Sequence, residues 1–128
     1  MKEAIFVGSS LRDLRKFPED ARSEAGHAVY LAQKGEKAVN AVPLAGFGGA
    51  AVLEIVIPEG GDAFRAVYTV KFDTAIYVLH AFQKKSKRGA KTPLQDMNLV
   101  RSRLNDAREI HQAKKRAQSE KKNEQGSG

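Results

Sequence analysis

The chain contains no cysteine, which excludes disulfides and any zinc site built on thiolates. No apolar run approaches the ~18 residues of a membrane span, and the longest stretches are broken by glycine, proline or charge. No secretory apolar segment follows Met1, so the cytoplasm is the expected location and no membrane is expected as a partner. Histidine is sparse: His27, His80 and His111 are scattered, without His-x₃-His spacing or paired acidic ligands. Neither a metal site nor a cofactor is therefore expected. The glycines of "GFGGA" at 46–50 lack the Lys-Ser/Thr ending of a phosphate-binding loop and precede a strand rather than a helix, so they read as a simple loop. No repeat of 20–50 residues is visible.

What remains is the composition of one domain with a modest core, 128 residues that are 41% hydrophobic and 29% charged. The net charge of +7 is unevenly placed. Residues 1–64 carry 7 Lys/Arg against 9 Asp/Glu, a net of −2, whereas residues 65–128 carry 15 against 6, a net of +9. A basic second half suggests a polyanionic partner, nucleic acid first and an anionic membrane surface second.

"EAIFVG" at 3–8 reads as a first strand. Two helical segments follow, with Ser9 or Ser10 placed to cap the first and Pro18 in the first turn of the second. Ala21, Ala25, Ala28, Val29 and Ala32 recur at helical spacing and form a small-residue face, which Gly35 ends. Residues 36–49 read as a linker, and 50–57 as a strand. In 63–71, Phe64, Ala66, Tyr68 and Val70 alternate with Arg65, Val67, Thr69 and Lys71, which sets Arg65 on a strand face. "AIYVLHAF" has almost no polar residue and reads as an interior strand buried on both faces. "TPLQ" has the form of a capping box, and Leu94, Met97, Val100, Leu104, Ala107 and Ile110 then make the apolar stripe of a last helix. The expected fold is α+β: an N-terminal strand, two helices, three antiparallel strands and a C-terminal helix in residues 1–112, then a charged, frayed or disordered tail at 113–128.

Five cations crowd the eight residues from Lys84 to Lys91. If the last two strands form a hairpin, Lys84 and Lys85 emerge near Arg65, and cations so placed can neutralise phosphates or stabilise a phosphorane-like transition state. Lys87, Arg88 and Lys91 extend that surface toward nucleic acid. The plain alternative is a solvated loop, with Arg65 paired to Glu54. Glu54 itself reads either as a base beside the cations or as half of a structural ion pair. His80 reads as a core histidine bonded to backbone or as a proton donor, and Tyr68 and Tyr77 as packing residues unless exposed enough to stack on a base.

The stretches "FVGSSLRDLRKFPEDAR", "LEI" at 53–55, "FRAVY" at 64–68 and above all "VLHAFQKKSKR" at 78–88 resemble the RelE/ParE superfamily of toxin–antitoxin toxins, specifically its phage-derived HigB-like branch. The similarity runs over about residues 3–110. It implies a RelE-like fold and a metal-independent endoribonuclease that cuts mRNA on the ribosome and is neutralised by a helix-turn-helix, HigA-like antitoxin. In that pattern Arg65 matches the arginine that binds the scissile phosphate, and Lys84 and Lys85 the basic pair that stabilises the transition state or donates a proton. Glu54 matches the general base, and His80 is a further candidate acid. Val56 replaces a basic residue often found there, and no tyrosine follows the basic run. A ParE-like poison of DNA gyrase, a non-catalytic nucleic-acid-binding protein and a degenerate prophage remnant would share these features.

Overall fold

The computed structural model describes residues 1–84 and 92–126. Its elements run β1 (Glu3–Phe6), α1 (Ser10–Arg15), α2 (Glu19–Gln33), β2 (Ala41–Pro43), β3 (Val52–Glu59), β4 (Asp62–Thr69), β5 (Ala75–Lys84) and α3 (Leu94–Gly126). Among the described residues the strands form one sheet in the order β1-β5-β4-β3-β2, with β1 parallel to β5 and the other pairs antiparallel. The fold is α+β, and its sheet has five strands rather than the four expected.

The additional strand lies inside the expected linker. Ala41–Pro43 pairs with Leu53–Ile55, and the Leu44 N–H continues the ladder to the Val52 carbonyl at 2.9 Å. Three residues are too few to reveal an alternation, and Pro43 argues against a strand unless that strand is an edge, which β2 is. β3 and β4 meet at Gly60 (φ 58°) and Gly61 (φ 88°), a left-handed pair suited to a two-residue hairpin turn that sets the register Glu59↔Asp62.

Residues 75–81 of β5 are all buried, so the strand has to be covered on both faces. On one face lie Leu14, Phe17 and the alanine face of α2, packed on Leu53, Ile55, Ile57, Phe64, Ala66, Tyr68, Ile76 and Val78. Ala21, Ala25 and Ala28 are fully buried, and their lack of bulk lets the helix approach the sheet closely. α2 ends with the Glu36 N–H bonded to the Leu31 carbonyl and the Gly35 N–H to that of Ala32, the closure that Gly35 permits at φ 82°. On the other face Val100, Leu104 and Ala107 of α3 pack on Val52, Val67, Tyr77 and Leu79. Leu94, expected on this stripe, is 73% exposed.

α3 is pinned again further along. The Tyr77 hydroxyl meets Nδ1 of His111 at 3.2 Å, Nε2 of His111 meets Asp73 at 3.2 Å, and Lys115 bonds the same carboxylate at 3.3 Å. That lysine's hydrogen bond holds the Asp73 carboxyl below its ordinary range. Both tyrosines on the last two strands are fully buried, so neither can stack on a base. The helix continues through the expected tail to Gly126, and residues 112–122 are all exposed. Among the described residues no helix is long and apolar enough to cross a membrane.

The hydroxyl of Tyr68 is buried without a hydrogen-bond partner among the described residues, and burial pushes its pKa up to about 12. Between pH 10 and 12 the unfolded chain therefore releases this proton while the folded chain keeps it, so stability falls as pH rises. Urea unfolding should show Tyr68→Phe at least as stable as the wild type at pH 8, and relatively more stable by on the order of 2 kcal/mol near pH 12, from the ~1.4 kcal/mol per pKa unit of linkage. Parallel pH dependences for the two proteins would contradict an unpaired hydroxyl in the core.

Candidate functional site

Alternation along the strands puts Glu54, Arg65 and Val67 on the α3 face of the sheet. Val67 is opposite Glu54 and Val56 is opposite Arg65, so Glu54 and Arg65 are diagonal neighbours that a long side chain can bridge. Lys84 is opposite Ala63, two residues before Arg65 on β4. This brings the end of β5 beside Arg65, as the hairpin expectation required.

β5 reaches that position through a bulge. Val67 pairs with His80 but Tyr68 pairs with Val78, leaving Leu79 as the extra residue. Ile76 and Val78 face α2, Tyr77 and Leu79 face α3, and His80 then also faces α3. Without the extra residue, His80 would point into the α2 core. The bulge therefore re-aims one side chain toward the site.

Glu54 is 4% exposed and Arg65 7%. Nη1 of Arg65 donates to Oε1 of Glu54 at 3.0 Å, and the Thr92 hydroxyl donates to Oε2 at 2.7 Å. Both carboxylate oxygens are thus engaged. A charge so buried needs its partner, and removing one member of such a pair typically costs about 3–5 kcal/mol. Thr92, read as a helix cap, instead anchors the start of α3 to β3 through this carboxylate.

His80 is 6% exposed and stacks on Phe82, with centroids 4.7 Å apart and planes at 16°. Its Nε2 lies 2.7 Å from the Asp96 carboxylate and its Nδ1 3.3 Å from Nη1 of Arg103. Arginine can only donate, so Nδ1 accepts and the ring proton sits on Nε2, given to Asp96. His80 is therefore bonded to two side chains rather than to backbone, and both ring nitrogens are in use. Arg103 also donates to the Leu79 carbonyl at 2.9 Å and to the Ser9 hydroxyl at 2.8 Å, while Ser9 donates to Asp13 at 2.7 Å. Burial holds the Arg103 pKa below its ordinary value. The guanidinium lies so close to Gly8 that a methyl group there would sit 2.8 Å from Nε, and Gly8 is also at φ 58°. Only glycine suits that position.

The fold thus gathers Glu54, Arg65, His80 and Lys84 at one end of one sheet face. Lys85, Lys87, Arg88 and Lys91 lie outside the described residues. Sequence reasoning missed Thr92, Asp96 and Arg103, which complete the network. Asp96, Val100, Arg103 and Ala107 follow at i, i+4, i+7 and i+11, so polar residues inside the apolar stripe were the available signal. Among the described residues no group of three His, Asp or Glu side chains is placed to hold a metal ion.

No curated protein and no solved structure matches the chain. A family model does, that of phage-derived protein Gp49-like (DUF891), over residues 12–105. The matched span runs from α1 into α3 and includes every residue of the site except Gly8 and Ser9. The chain belongs to this phage-derived Gp49-like family, which is linked to the toxin–antitoxin toxins of the RelE superfamily.

Proposed function

We propose that the protein is the toxin of a type II toxin–antitoxin system, of the HigB-like branch, and that it cuts mRNA on the ribosome. The observation that carries the enzymatic part is the convergence of Glu54, Arg65 and Lys84 on one end of one sheet face, in a chain of a toxin-linked family. A carboxylate can accept the 2′-OH proton and cations can stabilise the charge that develops on phosphorus, which is what RNA cleavage by its own 2′-OH needs. The 2′-oxygen attacks phosphorus, its proton passes to Glu54, the P–O5′ bond breaks, and an acid protonates the departing 5′-oxygen. Arg65 stabilises the pentacovalent phosphate from a strand, where little reorganisation is needed. Lys84, with Lys85 beside it in sequence, serves as further stabiliser or acid. His80 is less suited to that acid role, because both its nitrogens are committed. Lys87, Arg88 and Lys91 add nucleic-acid contacts, and a helix-turn-helix antitoxin with an acidic segment would complement the surface.

In this mechanism the Thr92 hydroxyl holds the place of the substrate. It gives Oε2 of Glu54 the hydrogen bond that a ribose 2′-OH would give, so RNA must displace it. The deep burial of the Glu54–Arg65 pair favours one competing reading, in which the pair is purely structural and the chain acts by protein contact, as a gyrase poison would.

In a purified translation reaction, Glu54→Gln and Lys84→Ala should each slow message cleavage by about 10²-fold, the scale for one preorganised group. Wild-type rates in both folded variants would remove the enzymatic assignment, and DNA damage with unimpaired translation would select the gyrase alternative. Arg65→Ala should cost about 3–5 kcal/mol in urea unfolding as well as activity, because it strands Glu54 in the interior.

Thr92→Val removes the competing hydroxyl while keeping side-chain volume. It should raise cleavage at limiting substrate by about fivefold, the worth of one hydrogen bond of about 1 kcal/mol. Slower cleavage by a stably folded Thr92→Val would make Thr92 part of the machinery rather than a stand-in.

A further inference from the structure

The end of α3 has no counterpart in the site just described. From Gln112 to Lys122 every residue is exposed, and the segment carries Lys114, Lys115, Arg116, Lys121 and Lys122 against the single acid Glu120. Its only apolar residues are Ala113 and Ala117, so no apolar seam exists for a second helix or an apolar groove. An interfacial membrane helix would need aromatic or leucine side chains on one face, and none is present.

The cations are also sorted by face. Val100, Arg103, Leu104, Ala107 and His111 are the buried residues of α3. At 3.6 residues per turn that line continues through Lys114, Lys115, Gln118, Lys121 and Lys122. Arg116 and Glu120, four residues apart, share the opposite side, where each offsets the other. Where the sheet ends, the helix face that buried apolar side chains becomes a stripe of lysines. Lys114 and Lys115 reach back to Glu3 at 3.4 Å and Asp73 at 3.3 Å, exposed pairs of little strength. Lys121 and Lys122 have no ion pair among the described residues. The two lysine tiers are seven residues apart, about 10 Å along the axis, which spreads their charge over a backbone rather than one phosphate.

We infer that this projecting segment is a docking arm for the phosphate backbone of folded RNA. The inference rests on the RNA-cleaving function proposed above, and it gives the chain a second, sequence-independent contact remote from Glu54 and Arg65. Five cations against one acid give this exposed segment a strongly positive potential, which a polyanion neutralises. The segment is continuous with the packed part of α3, so binding pays no nucleation cost.

Fluorescence anisotropy with a labelled RNA hairpin of about 20 base pairs tests this with the full chain. Lys121→Gln/Lys122→Gln should weaken binding about tenfold near 0.15 M salt and flatten the slope of log K against log salt by up to about 2, at ~0.9 per cation. Replacing the same two residues with arginine should restore both. Arg116→Gln, on the other side of the helix, should stay within about twofold of the wild type. Because neither lysine touches the folded domain, loss of structure cannot mimic the result. Unchanged affinity and slope in the glutamine variant would overturn the arm, and so would an equal loss from Arg116→Gln. If binding to polyglutamate or to phosphatidylserine vesicles fell while RNA binding did not, the stripe would belong to an acidic protein or a membrane, and the inference would fail. Binding is read without cleavage, so failure here leaves the active-site assignment standing.

Discussion

A strand without a polar face must be covered twice, and β5 imposes that requirement on the whole chain. It takes β1 on one side and β4 on the other, α1 and α2 on one face and α3 on the second. Because β5 is an interior strand, its bulge at Leu79 acts on the site rather than on an edge. The single extra residue turns His80 away from the α2 core, toward Asp96 and Arg103. Covering the strand and building the site are one structural event, since the helix that buries Tyr77 and Leu79 also supplies Asp96 and Arg103, and the segment leading into it supplies Thr92.

That economy creates a tension at the same place. Glu54 and Arg65 are held by each other and by Thr92 in surroundings nearly closed to water, which strengthens their electrostatics and also shields them. A buried ion pair adds little net stability over apolar residues of the same size, yet is costly to break on one side. Such a pair at the mouth of a sheet, reachable through one hydroxyl, fits a group retained for what it does to a substrate. The network behind it is different in kind. Arg103 ties β5, α1 and α3 together through Leu79, Ser9 and His80, and its role is to hold the geometry.

Much of this was legible in the residues, for reasons that vary with the element. The alanine face of α2 showed because five small residues repeat at helical spacing, and β5 showed because it lacks a polar residue before His80. Arg65 and Glu54 could be assigned to neighbouring strands, and their pairing was one of two open readings. Its geometry depends on the register that Gly60 and Gly61 impose. β2 was not legible, being three residues that include a proline. Nor were Asp96 and Arg103, because charged residues on a helix are ordinarily read as its solvent face. Their only local trace is their place within the apolar stripe; that Arg103 is buried there and Asp96 half-buried depends on partners on β5 and beside α1, a tertiary fact.

The central claim is that this end of the sheet cleaves RNA using the substrate's own 2′-OH. The most direct measurement is end-group analysis of messages cut in a purified translation reaction. The mechanism requires a 2′,3′-cyclic phosphate on the upstream fragment and a free 5′-hydroxyl on the downstream one. Fragments bearing 5′-phosphates, or messages left intact while the folded protein arrests growth, would contradict it.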